Sequence, residues 1–239
     1  MQFSWTDYFD RIFCIHYVGY AERETHITQE LSRIGVLSSG IFEWRYTFPN
    51  QFERDLAQRL RVPSCSMIGQ LFIETKRIIA ESRFKGYKRI LIIQDDVVFL
   101  KDIDKLQEIV SRMPHEANCI QYEKRTDLMP KRISKLRQLE VTGRINEHYL
   151  RADGNIFWGG GCYGLTQEGM RILDAVMTKD LINEDNCFAQ IPYYVIATQN
   201  LCIQRQYKNS EKGKHGYDYN RDEKELDAMG LKKSDYQDI

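Results

Sequence analysis

Arg89-Ile90-Leu91-Ile92-Ile93-Gln94-Asp95-Asp96-Val97-Val98-Phe99-Leu100 decides how this chain folds. An apolar run too short for a helix and rich in Ile and Val reads as a strand buried on both faces. It stops at two adjacent carboxylates, and a second apolar run begins at once. Carboxylates are almost never left unpaired in such surroundings, because withdrawing an ion from water costs several kcal/mol. A hard cation such as Mg²⁺ or Mn²⁺ would offset that cost, since it takes oxygen ligands of this kind. Asp95 and Asp96 therefore read either as a metal site at the carboxyl end of a central strand or as a sharp turn whose acids sit in water.

Working outward, strands and helices alternate. Residues 11–18 read as a first strand. A helix follows from Arg23 to Ile34, with Ile27, Leu31 and Ile34 on one stripe and Gly35 as its stop. Residues 41–48 give an aromatic second strand, and Phe52, Leu56 and Leu60 mark a short helix. A longer helix covers Met67 to Phe84, the Asp95-Asp96 strand comes next, and Ile103 to Met113 form another helix. This order predicts an α/β fold with a mostly parallel, mixed central sheet wrapped by helices. Ligands gather beyond the carboxyl ends of the strands in such sheets, where Asp95 and Asp96 would lie.

The second half is less regular. Cys119 to Glu123 is a candidate short strand. Residues 124–151 are rich in Lys and Arg, and read either as a solvated, partly helical insertion or as a loop that meets an anionic ligand or membrane face. In Gly154-Asn155-Ile156-Phe157-Trp158-Gly159-Gly160-Gly161-Cys162-Tyr163-Gly164-Leu165-Thr166, apolar residues flank a triple glycine, as where backbone approaches a ligand closely. Thr166 would cap a helix carrying Met170, Leu173, Val176 and Met177. Residues 193–204 give a last strand. The expected division is a domain over 1–204 and a polar tail over 205–239 that packs loosely or not at all.

Composition sets the rest. The 34 basic and 34 acidic residues cancel, so no net field draws the chain to nucleic acid. The amino terminus does not resemble a signal peptide, and no apolar run approaches a bilayer span. The six cysteines are scattered without a CxxC pair, which favours a reducing cytoplasm over a disulfide scaffold or zinc knuckle.

Together these pieces resemble the GT-A nucleotide-sugar glycosyltransferases, and within them glycosyltransferase family 25, which includes lipooligosaccharide and collagen galactosyltransferases. The resemblance covers residues 11–204. The family opens with a strand ending Ile-Asn-Leu followed by an Arg, matched by Ile15-His16-Tyr17 and Arg23. Its Glu-Asp-Asp metal motif is matched by Gln94-Asp95-Asp96. Its Gly/Tyr-rich strand leading into Ser/Thr-x-x-Gly is matched by Gly161-Cys162-Tyr163-Gly164-Leu165-Thr166-Gln167-Glu168-Gly169. The departures are His16 for Asn, Gln94 for Glu, and Gly69-Gln70 where a Ser-His pair is usual.

The resemblance implies a hexose (galactose or glucose) moved from a UDP-sugar to a glycan hydroxyl, inverting, in a cytoplasmic enzyme of surface-polysaccharide synthesis. Asp96 would be the direct ligand of Mn²⁺ or Mg²⁺. Asp95 would support it or reach the ribose or sugar, and His215 would be either a further ligand or a solvated tail histidine. Ile15, His16, Arg23, Gln94, Gly160 and Gly161 would line the nucleotide side, His16 being either packed or in contact with nucleotide and Arg23 either in contact with nucleotide or phosphate or an exposed residue of the helix start. Asp185, or Glu184 beside it, would be the base that deprotonates the acceptor, the alternative being a simple turn at Asn183-Glu184-Asp185-Asn186. A catalytically degenerate nucleotide- or glycan-binding protein is the alternative that Gln94 keeps open. A dehalogenase-type phosphatase would need an acid where Val97 stands.

Overall fold

The computed structural model describes residues 3–18, 20–47, 67–126, 128–155, 157–177, 184–205 and 219–236. The stretch that decides the fold forms β3 (Arg89–Gln94), with Asp95 and Asp96 in the turn before β4 (Val97–Phe99). Ile90 to Ile93 are fully buried, as expected of a strand covered on both faces. Beside β3 runs β1 (Arg11–Tyr17), itself paired with β2 (Phe42–Thr47), and both pairings are parallel.

On the other side of β3 the direction reverses. β8 (Cys162–Thr166) pairs antiparallel with β3 and with β5 (Cys119–Gln121), and β5 pairs parallel with β9 (Tyr194–Ala197). A hairpin of β7 (Tyr149–Arg151) and β6 (Arg144–Asn146) completes an eight-stranded sheet of order β2-β1-β3-β8-β5-β9-β7-β6. Only β7 and β8 run against the other strands, so the sheet is mixed with one prevailing direction. A small second sheet joins β4 to β10 (Cys202–Gln204), antiparallel. Residues 193–204, expected as one strand, are therefore two, because the chain bends at residues 198–201 to leave the large sheet for the small one.

Helices flank the sheet: α1 (Ala21–Arg33), α2 (Met67–Phe84), α3 (Ile103–Ser111), α4 (Pro130–Thr142), α5 (Gln167–Val176), α6 (Glu184–Phe188) and α7 (Tyr219–Ala228). The polar stretch 124–151 thus contains a helix and a hairpin. The helix expected around Phe52 lies outside the described residues. Cys14, Cys119, Cys162, Cys187 and Cys202 are buried.

The segment after Arg205 departs from expectation. Leu226, Met229, Leu231 and Tyr236 are buried in the same apolar cluster that contains Trp5 and Ile92. Tyr236 donates its hydroxyl to the Asn200 carbonyl at 2.8 Å. Glu225, also buried, accepts from the Thr126 backbone N–H and hydroxyl. A few apolar side chains spaced along a charged segment suffice to dock it, which the average polarity of the segment conceals.

Candidate functional site

The parallel register brings the carboxyl ends of β1, β3 and β5 to one edge of the sheet. Because β8 runs the other way, its amino end, with Gly160 and Gly161, meets them there. Ile15 pairs with Gln94 across β1 and β3, which sets His16 beside Asp95. Tyr122 N–H donates to the Cys162 carbonyl at 2.9 Å, so Glu123 faces Gly161.

Asp95 is tied down by three donors. His16 Nδ1 lies 2.8 Å and the Tyr17 backbone N–H 3.0 Å from its Oδ2, and Arg23 Nη1 donates to its Oδ1 at 3.0 Å. Arg23 is only 2% exposed, so it is not the solvated helix-start arginine that its position allows. It emerges from the first turn of α1 and stacks its guanidinium over the Tyr20 ring, 4.9 Å from the centroid. His16 is packed, between Asp95 and the Tyr46 ring edge. Ile15 belongs to the core. The two carboxylates, with burial, hold the Cys14 thiol well above its ordinary range, burial being the larger cause.

Asp96 occupies the rim of this cluster, 3.8 Å from Arg23 Nη1 and more open than Asp95. Its carbonyl accepts from the Arg205 N–H. Arg205 in turn donates to His26 Nδ1 at 2.9 Å, and His26 Nε2 donates to the Val97 carbonyl at 3.0 Å. Burial is the main reason that the His26 pKa is lowered, and a neutral ring suits a residue that accepts at one nitrogen and donates at the other. Gln94 turns the other way: its Nε2 donates to the Gly160 carbonyl at 3.0 Å, leaving the amide oxygen as a neutral hard donor.

Glu123, just past the end of β5, was not among the residues singled out from sequence. It is buried, and its Oε2 accepts from the Gly161 N–H at 2.9 Å. A Cβ on Gly161 would fall 2.2 Å from that oxygen and 2.9 Å from Val97 Cγ1, so a side chain here would force the carboxylate beside it to shift. The available signal was the one used at Gln94-Asp95: an acid closing a short apolar run. Next to it, fully buried Lys124 donates to the Thr198 carbonyl at 2.7 Å and Asn200 Oδ1 at 3.0 Å. Burial lowers its pKa to about 7, against a smaller opposing pull from Glu140.

The Thr166-Gln167-Glu168-Gly169 match is structural. Thr166 Oγ1 caps α5 by accepting from the Gly169 N–H at 3.2 Å, and a Cβ at Gly169 would meet the Asn118 carbonyl oxygen at 1.9 Å. Glu184 and Asp185 begin α6, which is anchored by the contact of Phe188 with Tyr163 on β8, ring centroids 4.8 Å apart. The side chains of Glu184 and Asp185 lie outside the described residues, as does His215.

No family model and no curated protein matches the chain. Among solved structures it is similar to a mannose-1-phosphate geranyltransferase from Thermus thermophilus, at 11% identity and TM-score 0.40 over 81% of this chain and 75% of that one. It is similar to mouse xyloside xylosyltransferase 1 in its apo form, at 11% identity and TM-score 0.36 over 74% of this chain and 72% of that one. A glycosyltransferase involved in the glycosylation of the major capsid of PBCV-1 is similar at 10% identity and TM-score 0.39, over 92% of this chain and all of that one. These likenesses are remote in sequence and in shape.

Proposed function

We propose that the protein is a GT-A-like, nucleotide-sugar-dependent glycosyltransferase that moves a hexose, galactose or glucose, from a UDP-sugar to a glycan hydroxyl with inversion. One observation carries this reading: Gln94, Asp96, Glu123 and the Gly160-Gly161 backbone converge at one edge of the sheet, over a buried Asp95–Arg23–His16 cluster that fixes the turn. Donor-binding crevices of open α/β sheets lie at such edges.

The donors present suit Mn²⁺ or Mg²⁺. Asp96 offers a carboxylate and Gln94 an amide oxygen, and cations that also sit on substrate phosphates need only one or two carboxylates from the protein. Such an ion supplies positive charge to a departing diphosphate. Asp95, with both oxygens committed, positions the turn instead of binding a ligand. The acceptor hydroxyl oxygen bonds to the anomeric carbon as the bond from that carbon to the diphosphate breaks, and its proton passes to a carboxylate, for which we assign Asp185.

The test is UDP release from a panel of UDP-sugars with Mn²⁺, with and without glycan acceptors. Asp96→Asn is expected to lower turnover by about 10²–10³-fold, and Asp185→Asn by about 10²–10⁴-fold, with folding intact. No turnover and no UDP binding would overturn the proposal. Tight UDP binding without turnover would favour the second reading, a degenerate binder. That reading is supported by Gln94, whose uncharged amide already holds Gly160.

A further inference from the structure

Helix α4 has an outer face that the proposed reaction does not use. Its inward stripe, Leu136 and Leu139, is buried. Between Met129 and Ile145 five bases (Lys131, Arg132, Lys135, Arg137, Arg144) stand against one acid, Glu140. Lys131, Arg137 and Arg144 are exposed. Apolar side chains share this surface: Val141 is 82% exposed, and Met129 and Ile145 are exposed too. Val141 stands apart from the stripe that packs α4 on the protein, and exposed Met129 and Ile145 flank the helix at its two ends, so the packing of α4 does not explain them.

We propose that this face docks on an anionic lipid bilayer. Lys and Arg near an anionic leaflet each gain from its surface potential, and apolar side chains beside them gain by entering the headgroup region. A soluble acidic glycan would reward the charges but not Met129, Val141 and Ile145. The docking proposed is peripheral; among the described residues no helix is long and apolar enough to cross a membrane. It also bears on the candidate site. Arg132 stacks on Trp158, 4.9 Å from the ring centroid, and the Trp158 backbone N–H donates to the Arg125 carbonyl at 3.0 Å, immediately before Gly159–Gly161. These contacts link the helix proposed to meet the bilayer to the glycine edge of the candidate site.

The experiment is co-sedimentation of the whole protein, without nucleotide, with vesicles of phosphatidylcholine alone or mixed equally with phosphatidylglycerol. It is independent of the transfer reaction, so either proposal can fail alone. The protein is expected on the mixed vesicles and not on the neutral ones. Combined Lys131→Ala, Arg137→Ala and Arg144→Ala should weaken partitioning by about 100-fold, about fivefold per charge. Val141→Ser with Ile145→Ser should weaken it by about tenfold. All these side chains are exposed, so circular dichroism should stay unchanged. The proposal is overturned if the protein ignores mixed vesicles, if the charge variant binds as well as the parent, or if the apolar variant binds undiminished. Complete displacement by soluble dextran sulfate with no effect of the apolar variant would identify a polyanion site instead and equally overturn it.

Discussion

Arg23 Nη1 donates to Asp95 Oδ1 at 3.0 Å, and both side chains are buried. The pair joins the first turn of α1 to the end of β3, while His16 and the Tyr17 N–H bind the other carboxylate oxygen. A buried pair of this kind adds little net stability compared with well-packed apolar residues. Breaking it from one side is costly, because the remaining charge stays in the core.

Arg23→Ala should therefore lower unfolding free energy by about 3–5 kcal/mol. Arg23→Lys should recover only part, since a point charge does not reproduce the planar stack on Tyr20. Urea titration of the three proteins tests this, and equal midpoints for Arg23→Ala and the parent would refute it.

Gly161→Ala should destabilise by about 1–3 kcal/mol, because the new methyl collides with Glu123 Oε2 and Val97. In the background of Glu123→Ala the same change should cost less. A double-mutant cycle measures that coupling; strict additivity would mean that the backbone simply moves aside.

Gln94→Glu would exchange the Nε2 donor to Gly160 for a carboxylate facing a carbonyl oxygen. Stability without divalent ions should fall by about 1–3 kcal/mol. Added Mn²⁺ should restore more of the melting temperature in this variant than it adds to the parent. The same Mn²⁺ response in both proteins would contradict the metal assignment.

Lys124 gives a pH signature. Its folded pKa, lowered by burial to about 7, lies below the value of an unfolded lysine. Between these values the unfolded chain binds the extra proton, so stability rises with pH from about 7 upward, at most ~1.4 kcal/mol per pH unit. Comparing pH 7 with pH 8 keeps below the ordinary thiol pKa of about 8.5. Lys124→Met should flatten the rise over that interval; an unchanged slope would place its origin elsewhere.

Much of this architecture was legible in the chain. The apolar run before Asp95 announced a covered strand, and Thr166 announced the start of α5, because both signals are local. What was hidden was relational. The partners of Asp95 stand 72 and 79 positions away, so sequence could mark its carboxylate as needing partners but not name them. Glu123 looked like an ordinary strand end until β8 brought Gly161 against it. Docking of residues 219–236 depends on a handful of apolar side chains diluted among charges. The break near Asn200 follows from its hydrogen bonds to Lys124, which no local propensity records.

The pairing of Ile12 with Leu91 and of Ile15 with Gln94 makes the sheet a ruler. Counted from that shared origin, both strands must reach His16 and Asp95 after the same number of steps. Substitutions along the way can be absorbed by repacking. A single inserted or deleted residue in either strand shifts one mark of the ruler against the other and strands a carboxylate among hydrocarbon. Tolerance to length change should accordingly be lowest here, well before the Asp95-Asp96 turn itself.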